Sequence, residues 1–220
     1  DLSVGSVAAL AGTLCAGMMS RNGLPVPVAI LLSIGVGFSL GLVNGALTVF
    51  GNLPPFVTTL SMLGVARGLT LVYTEGKPIS GLERSFTNLG TGDIGPIPVL
   101  ILVWMVLLAI AFFVLRHTRF GLHIYAIGGN EETARLAGVR VRLVKIAVYS
   151  ISGVLASIAG MLLTARLWSA QPQMGAGIEL DAIAASVLGG VSLFGGVGSV
   201  VGASIGALIV GVLGNGLNLL

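Results

Sequence analysis

Long apolar runs separated by short polar breaks set the pattern of this chain. They cover roughly Val4–Ser20, Val26–Phe50, Phe56–Tyr73, Ile97–Leu115, Ile146–Ala165 and Ala182–Leu220. The first five have lengths that cross a hydrocarbon layer of ~30 Å as helices. The last is long enough for two crossings, but GGVSLFGGVGS (Gly189–Ser199) interrupts it with five glycines, and a break or turn is expected there. The runs are too continuous for the alternating strands of an outer-membrane barrel. Glycines also line the runs, as in GVGFSLGLVNG (Gly35–Gly45), where small residues let helix backbones approach closely. The pattern predicts an all-α, polytopic membrane bundle with broken helices.

Composition strengthens that reading. Of 220 residues, 55% are hydrophobic and 9% charged, with a mean hydropathy of +1.04. A soluble domain carries roughly 25% charged residues, so this chain has too little polar surface to dissolve. The formal charge of +3 comes with no basic face interleaved with aromatics, so nucleic acid is not an expected partner. Cys15 is alone in an apolar run, which excludes an intrachain disulfide and reads as a small buried filler. The chain opens on Asp1 without a basic leader and runs out within GVLGNGLNLL. The expectation is an internal fragment, residues 1–220 forming a single transmembrane domain.

Charge placement orients the spans. Between residues 116 and 145, Arg116, Arg119, Arg135, Arg140, Arg142 and Lys145 face only Glu131 and Glu132. One cation at mid-membrane costs ~3 kcal/mol even on a lenient insertion scale, so six must stay in water. The positive-inside rule makes this loop, 116–145, cytoplasmic. Residues 74–96 carry Glu75, Lys77, Glu83, Arg84 and Asp93 and face outward. Counting spans places Gly51–Pro55 inside, and Arg21–Pro25 and Trp168–Asp181 outside. Arg21 is on the wrong side for the rule. Arg67 and Arg166 lie near outer span ends, where snorkelling to the headgroups accounts for them. Tyr73, Trp104 and Trp168 read as interface anchors.

Within the cytoplasmic loop, Asn130 stands where an N-cap belongs, with Glu131 and Glu132 in the first turn. Gly138 stands where a left-handed C-terminal residue is wanted. Glu131–Ala137 is therefore predicted as a two-turn helix, too short to be stable alone in water. Physics leaves it as either a surface connector or a docking element.

Three stretches carry a family resemblance: DLSVGS (Asp1–Ser6); HTRFGLHIYAIGGNEETARLAGV (His117–Val139) with KIAVYSISGVLASIAG (Lys145–Gly160); and ARLWSAQPQMGAGIELDAIAASVLGG (Ala165–Gly190). Through them the whole chain resembles the permease subunit of bacterial ABC importers for monosaccharides, the ribose-type family. The resemblance implies a permease dimer, most simply a homodimer, in the bacterial inner membrane. It further implies a cytoplasmic ABC ATPase, which binds the ATP and magnesium, and a periplasmic sugar-binding protein. No cofactor is expected in this chain. The ATPase-coupling loop matches the family at Gly128, Gly129, Asn130, Glu131, Leu136 and Gly138, with Glu132 beside them.

The sequence offers no chemistry of its own. There is no GxxxxGK[ST] and no GxSxG, and His117 and His123 fall in the basic loop. Two histidines without a suitable cysteine partner make no zinc site. Acidic helix starts are of more interest. Setting residue n against n+178 aligns Asp1 with Glu179, Leu2 with Leu180, Leu10 with Leu188 and Gly12 with Gly190. An inverted repeat is expected from this, with Asp1, Ser3, Glu179 and Asp181 at helix starts or along a translocation path. Helix capping by the two acids is the simpler account. Branched-chain amino acid permeases share the architecture and remain an alternative. An ion-coupled carrier needs ionisable groups deep in its spans, and these are nearly absent.

Overall fold

Helices form where the apolar runs predict them. The computed structural model describes residues 1–218. The elements are α1 (Val4–Ser20), α2 (Val26–Val49), α3 (Pro55–Thr74), α4 (Arg84–Thr91), β1 (Asp93–Ile94), β2 (Ile97–Pro98), α5 (Val99–His117), α6 (Arg119–Gly129), α7 (Glu131–Leu136), α8 (Val141–Leu167), α9 (Ile178–Leu188) and α10 (Val200–Asn218). Prolines mark two starts. Pro25 precedes α2 and Pro54 precedes α3, and each helix has a further proline in its first turn, where no N–H is needed. The expected break falls between α9 and α10.

Among the described residues, five helices, α2, α3, α5, α8 and α10, are long and apolar enough to cross a membrane. Their large side chains point outward in numbers, among them Leu31, Phe38, Phe56, Val72 and Met105. In lipid such faces need no covering, because the chains around them are equally apolar.

Contacts divide the chain into two compact units, Asp1–Val103 with Lys145–Glu179, and Trp104–Val144 with Leu180–Leu220. In the first, α1 is the core helix, buried along most of its length and packed chiefly against α3 and α2. Small residues permit this. A Cβ added at Gly160 of α8 would strike the Ala8 carbonyl of α1, and one at Gly12 would strike Thr164. These pairings make α1 and α8 parallel. Along α2, Gly37, Gly41 and Gly45 meet Gly153, Tyr149 and Ile146 in turn, so α2 runs antiparallel to α8. Cys15 lies in the apolar core with Met19, Phe86 and Met161, the filler role expected of it.

Two polar segments hold more structure than expected. Residues 74–96 contain α4 and lead into the β1–β2 hairpin, in which Asp93 pairs with Pro98 and Ile94 with Ile97. Residues 116–145 contain α6 and α7, and α8 already starts at Val141. The α6 helix forms because Thr118 caps it, its Oγ1 accepting the Gly121 N–H at 3.3 Å. Arg21 has a local partner: its Nη1 donates to the Tyr73 carbonyl at 3.0 Å, and its guanidinium lies 5.5 Å from the Tyr73 ring centre. A cation at the carbonyl end of α3 is favoured by the helix dipole.

Candidate functional site

The α7 helix is closed at both ends by its own residues. Asn130 Oδ1 accepts the Thr133 N–H at 2.9 Å, the N-cap bond expected from sequence. Glu131 and Glu132 occupy the first turn, and Arg135 pairs with Glu132 at 2.6 Å on the exposed face. At the other end Gly138 takes φ +84°, its N–H donating to Arg135 O at 3.0 Å, while Val139 N–H reaches Ala134 O at 3.1 Å. These two bonds form a Schellman closure, which wants glycine at that residue. Six residues are thereby held helical without a long propagating run. Ala134 is buried behind the helix, and Leu136 is 79% exposed. The arrangement holds an apolar side chain out on a turn that is capped at both ends.

The glycines ahead of α7 serve close packing. A Cβ at Gly128 would collide with the backbone of Gly196, and one at Gly196 would come 2.9 Å from Gly129. Tyr125 Oη donates to the Gly198 carbonyl at 3.0 Å. The last turn of α6 and the glycine-rich turn between α9 and α10 thus clasp each other backbone to backbone. A cavity of 410 Å³ lies beside this clasp, lined by Leu115, Tyr125, Val191 and Ala203 among others. The glycines at 189–199 hold the break expected from sequence and make this contact as well; the paired Gly-Gly steps at 128–129 and 195–196 are the available sequence signal for it.

The second group of candidates gathers at the start of α1. Asp1 Oδ1 accepts from the Ser3 N–H at 2.9 Å and from its hydroxyl at 2.6 Å, and Asp1 Oδ2 accepts from Ser152 Oγ at 2.9 Å. Ser3 Oγ accepts in turn from Asn44 Nδ2 at 3.0 Å. Asn44 and Ser152 were not singled out by sequence, although Asn44 is the one amide in its apolar run. Glu179 abuts the same helix start: a Cβ at Gly5 would collide with its carboxylate and with the Gly175 carbonyl. Glu179 Oε1 accepts only a long bond from Gly177 N–H at 3.4 Å. Asp1 therefore ties Ser3 to α8 rather than capping free helix N–H groups. Asp181, further along α9, is exposed.

The segment leading to Glu179 corrects two expectations. Trp168–Asp181 is not simply an outer loop. The Met174 side chain packs on Gly12 and accepts at its sulfur from Thr164 Oγ1 at 3.5 Å, and the Gly175 backbone meets Gly5, so this non-helical segment packs directly against α1. Arg67 does not snorkel. Its Nη1 donates to the carbonyls of Pro172 and Met174 at 2.9 and 3.1 Å. Irregular backbone within a bundle needs such internal donors, because lipid supplies none.

Helical spans, tight small-residue seams and a capped helix between two of the spans define a polytopic permease. The chain matches, over residues 1–220, the family described as the permease component of branched-chain amino acid transport systems, and it belongs to that family. It is 49% identical to the ribose import permease of Bacillus subtilis over all of this chain and 69% of that protein. It is 47% identical to the ribose import permease of Escherichia coli, over all of this chain and 70% of that one. With the D-allose transport system permease of Escherichia coli the identity is 39%, over all of this chain and 68% of that one. No solved structure matches. The protein is a multi-pass component of the bacterial inner membrane and, like its relatives, a transport subunit.

Proposed function

We propose that this chain is the permease of an ATP-driven importer of a monosaccharide, a pentose or a hexose. Two copies would enclose the path, a periplasmic binding protein would deliver the sugar, and a cytoplasmic ABC ATPase would hydrolyse ATP. Residues 1–220 act as one permease domain, with 116–145 as its coupling loop. The observation that carries this reading is the double closure of α7 with Leu136 held outside it. Closure of the ATPase dimer draws the two α7 helices together through Leu136, Glu131 and Glu132. The clasp of Gly128 and Gly129 on the glycine-rich turn passes that displacement to the break between α9 and α10. In the first unit, Asp1, Ser3 and Glu179 border the path; Asp181 is assigned to the head of α9. The inverted-repeat alignment pairs Asp1, three residues ahead of α1, with Glu179, in the first turn of α9.

The test is uptake of labelled ribose and allose into liposomes holding the full complex, with and without ATP. Sugar uptake that requires ATP, together with co-purification of the ATPase lost in Leu136→Asp, supports the reading. Uptake of leucine in place of sugar would assign the chain to amino acid import. Uptake that follows an ion gradient without ATP would overturn the importer altogether.

A further inference from the structure

Besides the Asp1–Ser3–Asn44 network, the polar atoms buried in the first unit include two further kinds. Thr13, Ser33, Thr70, Ser157 and Thr164 each donate to the carbonyl one turn back along their own helix. Ser6 Oγ, Asn44 Oδ1, Thr48 Oγ1 (one turn along α2 from Asn44), Ser150 Oγ and Glu179 Oε2 are enclosed as well, yet have no partner. The second kind is not scattered. Ser6 lies one turn beyond Ser3 on the same face of α1. Asn44 donates to Ser3 through Nδ2, which brings Oδ1 of the same amide to the α1 start. Glu179 abuts Gly5, and Ser150 packs against Gly41, one turn of α2 from Asn44.

Ser6 is 0% and Asn44 1% exposed. Their orphaned oxygens are enclosed by this chain's own atoms, so no further segment, subunit or lipid reaches them in this conformation. An enclosed polar atom without a partner carries its full desolvation penalty. Only a rearrangement that admits a partner relieves it. What the cluster lacks is donors: an amide oxygen and a carboxylate oxygen can only accept, and the serine hydroxyls can do either. A monosaccharide carries hydroxyl donors around its ring, whereas a branched-chain amino acid concentrates its donors in one ammonium group.

We propose that the start of α1 is an occluded polyol gate. It is closed in this conformation and opens in the transport cycle as sugar hydroxyls donate to Asn44 Oδ1 and Glu179 Oε2 and exchange bonds with Ser6. The closed arrangement is left under-bonded, so a hydroxyl-rich solute stabilises the open one. This rests on the sugar-importer reading and adds to it a contact site.

The experiment uses the full complex in liposomes, with Ser6→Cys and, as control, Ser157→Cys, whose parent hydroxyl is already satisfied. A small hydrophilic methanethiosulfonate reagent is applied in three states: at rest, with ATP, and with ATP plus sugar-loaded binding protein. The unsubstituted complex, in which Cys15 is buried, supplies the blank. Ser6→Cys is expected to react only during turnover, and Ser157→Cys in none of the states. Independently, Asn44→Leu is expected to lower sugar uptake per ATP hydrolysed about tenfold, the loss of one hydrogen bond. Asn44→Asp, which keeps an acceptor, should recover part of it. A Ser6→Cys that stays silent in turnover, equal reaction at positions 6 and 157, or Asn44→Leu importing like the parent would overturn the gate. If the unsubstituted complex takes up no monosaccharide, the importer reading fails first, before any variant is compared.

Discussion

Arg67 Nη1 donates to the Met174 carbonyl at 3.1 Å, tying α3 to a stretch of chain 107 residues further on. The same nitrogen also serves Pro172, at 2.9 Å. Arg67→Ala leaves both carbonyls dependent on whatever water can enter. Loss of a charge-assisted bond of this kind costs about 2 kcal/mol. A lower melting temperature for the detergent-purified protein is expected, with partial recovery in Arg67→Lys, which keeps the charge but not the planar fork. An alanine variant as stable as the parent would remove the anchoring role.

At the α1 start, Gly5→Ala drives a methyl group into the Glu179 carboxylate and the Gly175 carbonyl. Overpacking of this sort costs about 1–3 kcal/mol. In the Gly5→Ala/Glu179→Ala pair one of the two clashes is relieved. Thermal unfolding should show a smaller combined loss than the two single losses added together. Additive losses would mean that the two residues do not touch.

The α7 caps can be separated from its docking face. Asn130→Ala should weaken the helix by about 1 kcal/mol, the usual value of an N-cap, and lower ATPase-dependent uptake. Leu136→Asp leaves the caps in place and should abolish ATPase co-purification with no change in melting temperature. Equal ATPase binding in parent and Leu136→Asp would exclude docking through Leu136.

Gly128→Val tests the clasp. The added side chain meets the Gly196 backbone, so the glycine-rich turn must move. ATPase binding through α7 should persist while uptake per ATP falls, a coupling defect measured by comparing hydrolysis with transport. Parent-like coupling would show that the clasp transmits nothing.

Orientation has its own check. Thr133→Cys, on α7, should react with a membrane-impermeant maleimide in inside-out vesicles and not in intact cells. Labelling from the periplasmic side would reverse the topology drawn from the cationic loop.

Most of the spans and the α7 closure were legible in the sequence because each rests on a local rule, but α1, whose run was expected to cross, has 17 residues and stays short of crossing length. Apolar length predicts a crossing, and Asn130 and Gly138 carry cap preferences that need no tertiary context. The α6 helix was missed because its basic, half-apolar sequence reads equally well as loop, and only Thr118 marks its start. Arg67 was misread for a different reason. Position along a span suggests snorkelling, whereas its actual partners are carbonyls more than a hundred residues away, and no periodicity announces them. The polar network at Asp1, Ser3, Asn44 and Ser152 joins three helices, so only folding brings it together.

The enclosure of α1 bears on how the protein is made. Its serines and threonines, and the glycine seam that receives α8, suit contact with protein rather than lipid. Yet α8 leaves the ribosome some 140 residues after α1. The segment must therefore wait, sheltered by α2 and α3 or by the insertion machinery, until its last neighbour arrives. Assembly inside the bilayer ends where synthesis of this region began.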